Sequence, residues 1–207
     1  IAALRAQAEL AREATDAEEQ LRLVAKIHDR SRNLSRLTDQ LLNHAMIIHR
    51  ADSVELAPVD LRAVANDAVA QFDQTLSGAE QVVRIDLPEA PTRCDGDALS
   101  LVEACKNLIT NAVAYGKPPI TVFVRDDGPA LGLGVRDRGD GMAEEMWADA
   151  GSRFAKRSGV SSTSAGLGLS IVSAVAQAHG GRLTLRRPEA GGFEVFVELP
   201  NLPDIEA

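Results

Sequence analysis

Ile27, Leu34, Leu41 and Ile48 recur every seven residues, with Leu23 and Leu37 beside them, in a stretch from Ile1 to about Arg50 that contains no Gly or Pro. A seven-residue apolar repeat in a segment rich in Ala, Leu, Arg and Glu predicts helix, and here a coiled-coil or bundle seam. A break near Glu13 to Asp16 divides it in two. One seam on an antiparallel hairpin cannot bury itself, so a homodimeric four-helix bundle is its natural completion. Arg22, Lys26 and Arg30 form a row on another face, either a solvated stripe or a dock for an acidic partner.

The pattern changes beyond a connector at 51–59, which is closed by Pro58 and an N-cap-like Asp60 ahead of a helix predicted over 61–76. Alternation then predicts strands at 82–87, 120–125, 131–136, 182–186 and 193–199, interleaved with helices at 98–115 and 167–179. Asp126-Asp127-Gly128-Pro129 joins two of the strands as a hairpin turn. Strands outnumber helices, which predicts an α+β fold: an α/β sandwich, a mixed sheet with helices on one face, rather than a doubly wound α/β fold. The expected organisation is a helical hairpin over 1–52, a linker over 53–59 and a second domain over 60–207.

At 207 residues, 45% hydrophobic and 25% charged, the chain has the composition of an ordinary soluble globular protein. A net charge of −8 excludes the basic footprint that nucleic-acid binding requires. Cys94 and Cys105 fit neither a disulfide framework nor a zinc pattern, and core packing is their expected role in a reducing, cytoplasmic compartment. No run approaches a membrane span and no secretory signal is present. The chain opens on Ile, in what reads as mid-helix, so it is expected to be part of something longer, with any membrane segment upstream.

Candidate chemistry lies in the second half. Glu103, Asn107 and Asn111 stand four residues apart, so one helix face carries all three, while Leu101, Val102, Leu108, Ile109, Ala112 and Val113 make the rest of that helix apolar. Such a row is either a wet helix stripe or a site whose oxygens suit a hard cation such as Mg²⁺ and whose amides suit phosphate. Asp137-Arg138-Gly139-Asp140-Gly141 leaves a strand end; a carboxylate there can accept from an exocyclic amine while the glycines allow close backbone approach. The 151–165 stretch, with Arg153, Phe154, Lys156 and Arg157, reads as a cationic lid or as a plain surface loop. Gly166-Leu167-Gly168-Leu169 opens a helix, where free N–H groups favour an anion, without the Lys of a Walker loop.

In their order, these four constellations resemble the N box, first glycine box, F box and second glycine box of the histidine-kinase catalytic domain, in the Bergerat-type ATPase superfamily. Gly96-Asp97, Tyr115 and Ala178-His179-Gly180-Gly181 fit the same resemblance, which covers about residues 61–200. The first half is similar to that family's dimerisation and histidine-phosphotransfer hairpin. The resemblance implies ATP and Mg²⁺ as cofactors, Asn107 as the metal ligand, and Asn111 on the phosphates or the metal's waters. Asp137 would receive the adenine amine, Gly139 and Gly141 would shape the wall around the base, and Tyr115 would pack near the nucleotide. Gly166, Leu167, Gly168 and Leu169 would hold phosphates, with Lys156 or Arg157 as the lid cation. A response-regulator receiver domain is the implied partner.

Ala114 departs from the family's pattern, which often has Lys there; Lys117 is the nearest substitute. Glu103 stands where related ATPases place a water-activating carboxylate, which makes it a candidate catalytic residue. The family's phosphoacceptor motif, His-Glu/Asp-x-x-Thr/Asn-Pro, is expected just upstream of Ile1. His28-Asp29 lacks the following Thr/Asn-Pro, and His44, His49 and His179 read as helix-surface or turn residues. Three functions follow as alternatives: a sensor histidine kinase's catalytic portion, a dimeric nucleotide-binding scaffold, or an ATPase that uses Glu103.

Overall fold

The computed structural model describes residues 9–12, 16, 18–31, 38, 55–75, 83–151 and 168–201. Residues 18–31 are helical; Leu23 and Ile27 are half-buried there, while Leu21 and Val24 are exposed. Leu34, Leu37, Leu41 and Ile48 of the seam lie outside the described residues, as do Lys156, Arg157, Gly166 and Leu167.

From residue 57 the order is β1 (Ala57–Asp60), α1 (Leu61–Thr75), β2 (Val83–Asp86), β3 (Arg93–Gly96), α2 (Ala98–Tyr115), β4 (Ile120–Asp126), β5 (Ala130–Asp137), a 3₁₀ turn (Glu144–Met146), α3 (Gly168–Ala178), β6 (Arg182–Arg186) and β7 (Phe193–Pro200). Asp60 starts α1 by accepting the Arg62 N–H at 3.0 Å, satisfying one of the donors that a helix start leaves over. The Arg62 guanidinium beside it holds the Asp60 carboxyl below the usual carboxylate range. Leu61, Val64, Ala65, Ala68, Val69 and Phe72 then form the buried stripe of α1. At the far end of the chain α3 stops at Gly180 (φ 70°), where the Gly181 N–H returns to the Ala176 carbonyl at 2.8 Å.

Five strands form one mixed sheet in the order β2-β4-β5-β7-β6, with β2 parallel to β4 and every other pairing antiparallel. Ile120, Val122 and Val124 of β4, Leu131, Leu133 and Val135 of β5, and Val197 and Leu199 of β7 face the three helices across a single core. Each large aliphatic side chain removed from water there is worth about 2 kcal/mol. Cys94 and Cys105 are part of that core, and burial pushes their thiols up to about 11 and about 12.

The predicted mixed sheet with helices on one face is therefore the observed one. On its other face Phe123 and Phe196 flank Gly134 in register, their rings 6.0 Å apart, and the Arg125 guanidinium lies over both at 4.7 and 4.1 Å. Glu194, only 2% exposed, pairs there with Arg125, Arg136 and Arg186. Side chains thus cover a face on which no helix of the described residues packs.

Two strands were missed. Residues 57–59, read as connector, pair as β1 with β3 in a separate two-stranded sheet, Val59 opposite Cys94. Four-residue strands, one carrying Pro58 and the other mostly polar, leave too short a pattern to read.

Candidate functional site

The helix α2 organises the site. Its apolar stripe of Leu101, Ala104, Cys105, Leu108, Ile109 and Ala112 is buried, which fixes its rotation and presents Glu103, Asn107 and Asn111 along a half-buried edge. Asn107 turns its Nδ2 back to donate to the Glu103 carbonyl at 2.9 Å. Its Oδ1 is consequently the outward atom. The Glu103 carboxylate pairs with the Lys106 ammonium at 2.9 Å.

The start of α3 is laid against this edge. A Cβ on Gly168 would sit 3.3 Å from Asn111 Nδ2, 3.4 Å from Asn111 Oδ1 and 3.5 Å from Asn107 Oδ1, so a glycine leaves free the space directly over both carboxamides. Asn111 Nδ2 is buried with no hydrogen-bond partner among the described residues. A buried donor left unmade costs about 1–3 kcal/mol, so such a group in a native fold marks a place for a ligand or an ordered water. Asn107, Asn111 and Gly168 are thus brought together. Leu169 follows Gly168, half-buried against the core.

At the C-terminal end of α2, eight residues and about 12 Å beyond Asn107 and one turn beyond Asn111, Tyr115 ends the helix half-buried and Gly116 leads the chain past Asp137. Asp137, at the end of β5, is 7% exposed, and its Oδ1 accepts the N–H groups of Gly139 at 2.5 Å and Lys117 at 3.3 Å. Gly116 and Gly139 press on the carboxyl group so closely that a Cβ on either would stand 2.6–2.8 Å from it. Gly141, at φ 66°, passes under the Phe193 ring, where a Cβ would collide with the ring. A buried carboxylate fixed through one oxygen by backbone N–H groups is an acceptor whose direction is set in advance.

Lys117, the nearest lysine to Ala114, is turned toward the Asp137 turn. Its ammonium pairs with Asp140 at 3.0 Å, at the Asp137 end, and holds that exposed carboxyl below the usual range. His179 is a turn residue, as read, but it is not at the surface. It is 5% exposed, its Nε2 accepts the Asp97 N–H at 2.9 Å, and Nδ1 donates to the Val175 carbonyl at 2.7 Å, which ties the end of α3 to the start of α2. The Gly-Gly after it points to a helix end, and Gly96-Asp97 belongs to the same resemblance, but no spacing in the sequence pairs the two.

Among the described residues no group of three or more His, Cys, Asp or Glu could hold a metal ion. A cation here would rest on a carboxamide oxygen and on oxygens of its own ligand, the pattern Mg²⁺ adopts with nucleotide phosphates. The residues fit such a group: an outward Asn107 oxygen, a partnerless Asn111 N–H and a cradle that a Cβ at Gly168 would crowd.

Residues 96–203 match the family described as "Histidine kinase-, DNA gyrase B-, and HSP90-like ATPase". The chain belongs to that family, and ATP is the nucleotide it implies. Its likeness extends over nearly the whole chain to the catalytic portion of sensor histidine kinases. It is 32% identical over 199 residues to the sensor protein QseC of Escherichia coli (strain K12), covering 95% of this chain and 44% of QseC. It is 34% identical over 209 residues to the "Probable sensor histidine kinase TcrY" of Mycobacterium tuberculosis, covering 97% of this chain and 42% of TcrY. The chain therefore spans less than half the length of these curated relatives. The histidine kinase AdeS of Acinetobacter baumannii shares the fold, with a TM-score of 0.68 at 20% identity over 98% of this chain and 95% of that one. No helix among the described residues is long and apolar enough to cross a membrane.

Proposed function

We propose that this chain binds Mg-ATP along α2, with the phosphates at the Asn107–Asn111 end and adenine at Asp137. As the catalytic portion of a two-component sensor histidine kinase, it would then direct the γ-phosphoryl group to a histidine, for relay to an aspartate on a response-regulator receiver domain. One observation carries this reading: a buried, partnerless N–H and a glycine-cleared space along the C-terminal half of a helix whose end abuts a carboxylate aimed by backbone N–H groups.

Asn107 Oδ1 would ligate the metal, and Asn111 Nδ2 would donate to a phosphate oxygen or a metal-bound water. Bound Mg²⁺ supplies charge neutralisation across the phosphates. Phosphoryl transfer asks little else of a protein than in-line positioning and donors placed in advance. The α3 N-terminus, with Gly166, Leu167, Gly168 and Leu169, would add backbone N–H groups and the positive end of the helix dipole. Lys156 or Arg157 would close on the phosphates. Asp137 would accept the 6-amino group of adenine, Gly139 and Gly141 would line the base, and Tyr115 would pack beside it.

Glu103 faces the Lys106 ammonium, so a role in activating water would first have to open that ion pair; transfer to a protein histidine needs no such base. The helical hairpin over 1–52 would pair with a second copy of the chain, and the exposed Leu21 and Val24 give that pairing an apolar surface. A cytoplasmic location goes with an ATP-dependent reaction.

Isothermal titration of Mg-ATP against the native chain and Asn107→Ala tests the assignment. Binding by the native chain with at least about a tenfold loss in the variant is expected, as for removal of one metal ligand; equal affinity would sink it.

A further inference from the structure

Arg187 belongs to none of the motifs, yet it fastens the turn that follows Asp137 at three points. Its Nη2 donates to the carbonyls of Asp140 at 3.2 Å and Met142 at 2.9 Å, and its Nη1 pairs with Glu144 at 2.9 Å. The guanidinium also lies 5.6 Å from the centre of the Trp147 ring. Trp147 in turn donates Nε1–H to the same Met142 carbonyl at 3.1 Å and packs on Phe193, ring centres 5.9 Å apart. The stretch just after β6 and up to the start of β7 adds two more contacts: Ala190 accepts from Arg138 at 3.3 Å, and Gly192 (φ 91°) passes so near the Asp137 carbonyl that a Cβ would collide with it. Residues 187–193 therefore bracket residues 137–147 from outside.

The turn needs such a bracket. Gly139 and Gly141 give it the freedom to pass beside Asp137 and under Phe193, and the same freedom makes it costly to hold in one shape. Asp137 depends on that shape, because one of the two N–H groups aiming its carboxylate is that of Gly139. A planar guanidinium holds two carbonyls and a carboxylate in a fixed geometry that a freely rotating ammonium does not impose. The exposed ion pair to Glu144 is worth little by itself; the two carbonyl bonds are what fix position.

We propose that Arg187 is a positioning residue for nucleotide selection, holding the 138–147 turn so that Asp137 meets the exocyclic amine of the base in one fixed direction. This rests on Asp137 being the adenine end of the site. Titration with ATP and with purine riboside triphosphate, which lacks the 6-amino group, separates the two claims. The native chain prefers ATP. Arg187→Ala weakens ATP binding about tenfold, as when bonds ordering a polar contact are removed, but leaves purine riboside triphosphate within about twofold, so the preference narrows. Arg187→Lys, which keeps the charge without the fork, narrows it too and supplies the measurement if the alanine variant does not fold. In both variants, backbone amides of 138–147 exchange with solvent faster while those of α2 do not change. An unaltered ATP preference in the variants, whether affinities hold or fall together, overturns the role of Arg187. A native chain that binds both nucleotides equally, or neither, overturns the assignment of Asp137 itself.

Discussion

Asp137 lies beside Gly116 at the C-terminal end of α2 and Asn111 one turn inside that end, and the chain treats them in opposite ways. Asp137 is met by two backbone N–H groups, walled by Gly116 and Gly139 and braced from outside by Arg187 and Gly192. Asn111 holds a buried N–H that nothing among the described residues accepts, beneath a glycine that keeps the space above it clear. One group is finished by the fold; the other would be finished by a ligand, as the proposed ATP site requires. Base recognition needs a fixed acceptor in a water-poor wall, whereas a phosphate chain arrives with its own charge and cation and has to leave again as product.

Substitutions can break that contrast from either side. The largest effect is expected at the finished group: Asp137→Asn replaces the aimed acceptor with a group half of which is a donor, and ATP affinity should fall about a hundredfold, as for loss of a buried charged hydrogen bond. Titration calorimetry reads it, and a loss below about fivefold would place the base elsewhere. At the open group, Gly168→Ala puts a methyl 3.3–3.5 Å from both carboxamides. Those side chains can give by tenths of an ångström, so folding should survive while ATP affinity drops about tenfold, the cost of a misplaced contact. An equal fall in the unfolding midpoint would argue for packing rather than a site.

Asn111→Ala sharpens the comparison because its two effects oppose each other. Removing an unsatisfied buried donor should raise stability by about 1 kcal/mol while weakening ATP binding; denaturant unfolding without ligand checks the sign. The smallest effect belongs to neither group. Asp60→Ala should cost about 1 kcal/mol through the start of α1 with ATP affinity intact. Since the folded carboxyl lies below its ordinary 3.8, this contribution is complete above that pH and fades as the pH falls below it through the lowered value. Native and variant stabilities should therefore converge in acid.

The legible parts of the molecule are those with a period. Asn107 and Asn111 could be placed together because helix geometry puts residues four apart on one face, and β4 and β5 because seven or eight residues alternate around a Gly-Pro turn. Gly168 could be read as a helix start, but its seat over two carboxamides depends on how α3 packs on α2. Arg187, Gly116 and Gly192 carry no pattern: each acts in a loop, across distances in sequence that only the closed sheet brings together. The burial of His179 is illegible for the same reason, since its partner Asp97 stands 82 residues away.

That bond makes His179 an internal reporter. An imidazole whose Nε2 accepts from Asp97 and whose Nδ1 donates to Val175 is locked in one tautomer, and nitrogen chemical shifts distinguish the two tautomers without any label on the nucleotide. The ring signal would therefore show whether the helix carrying the carboxamides and the helix laid against them stay clamped at these ends when ATP is added.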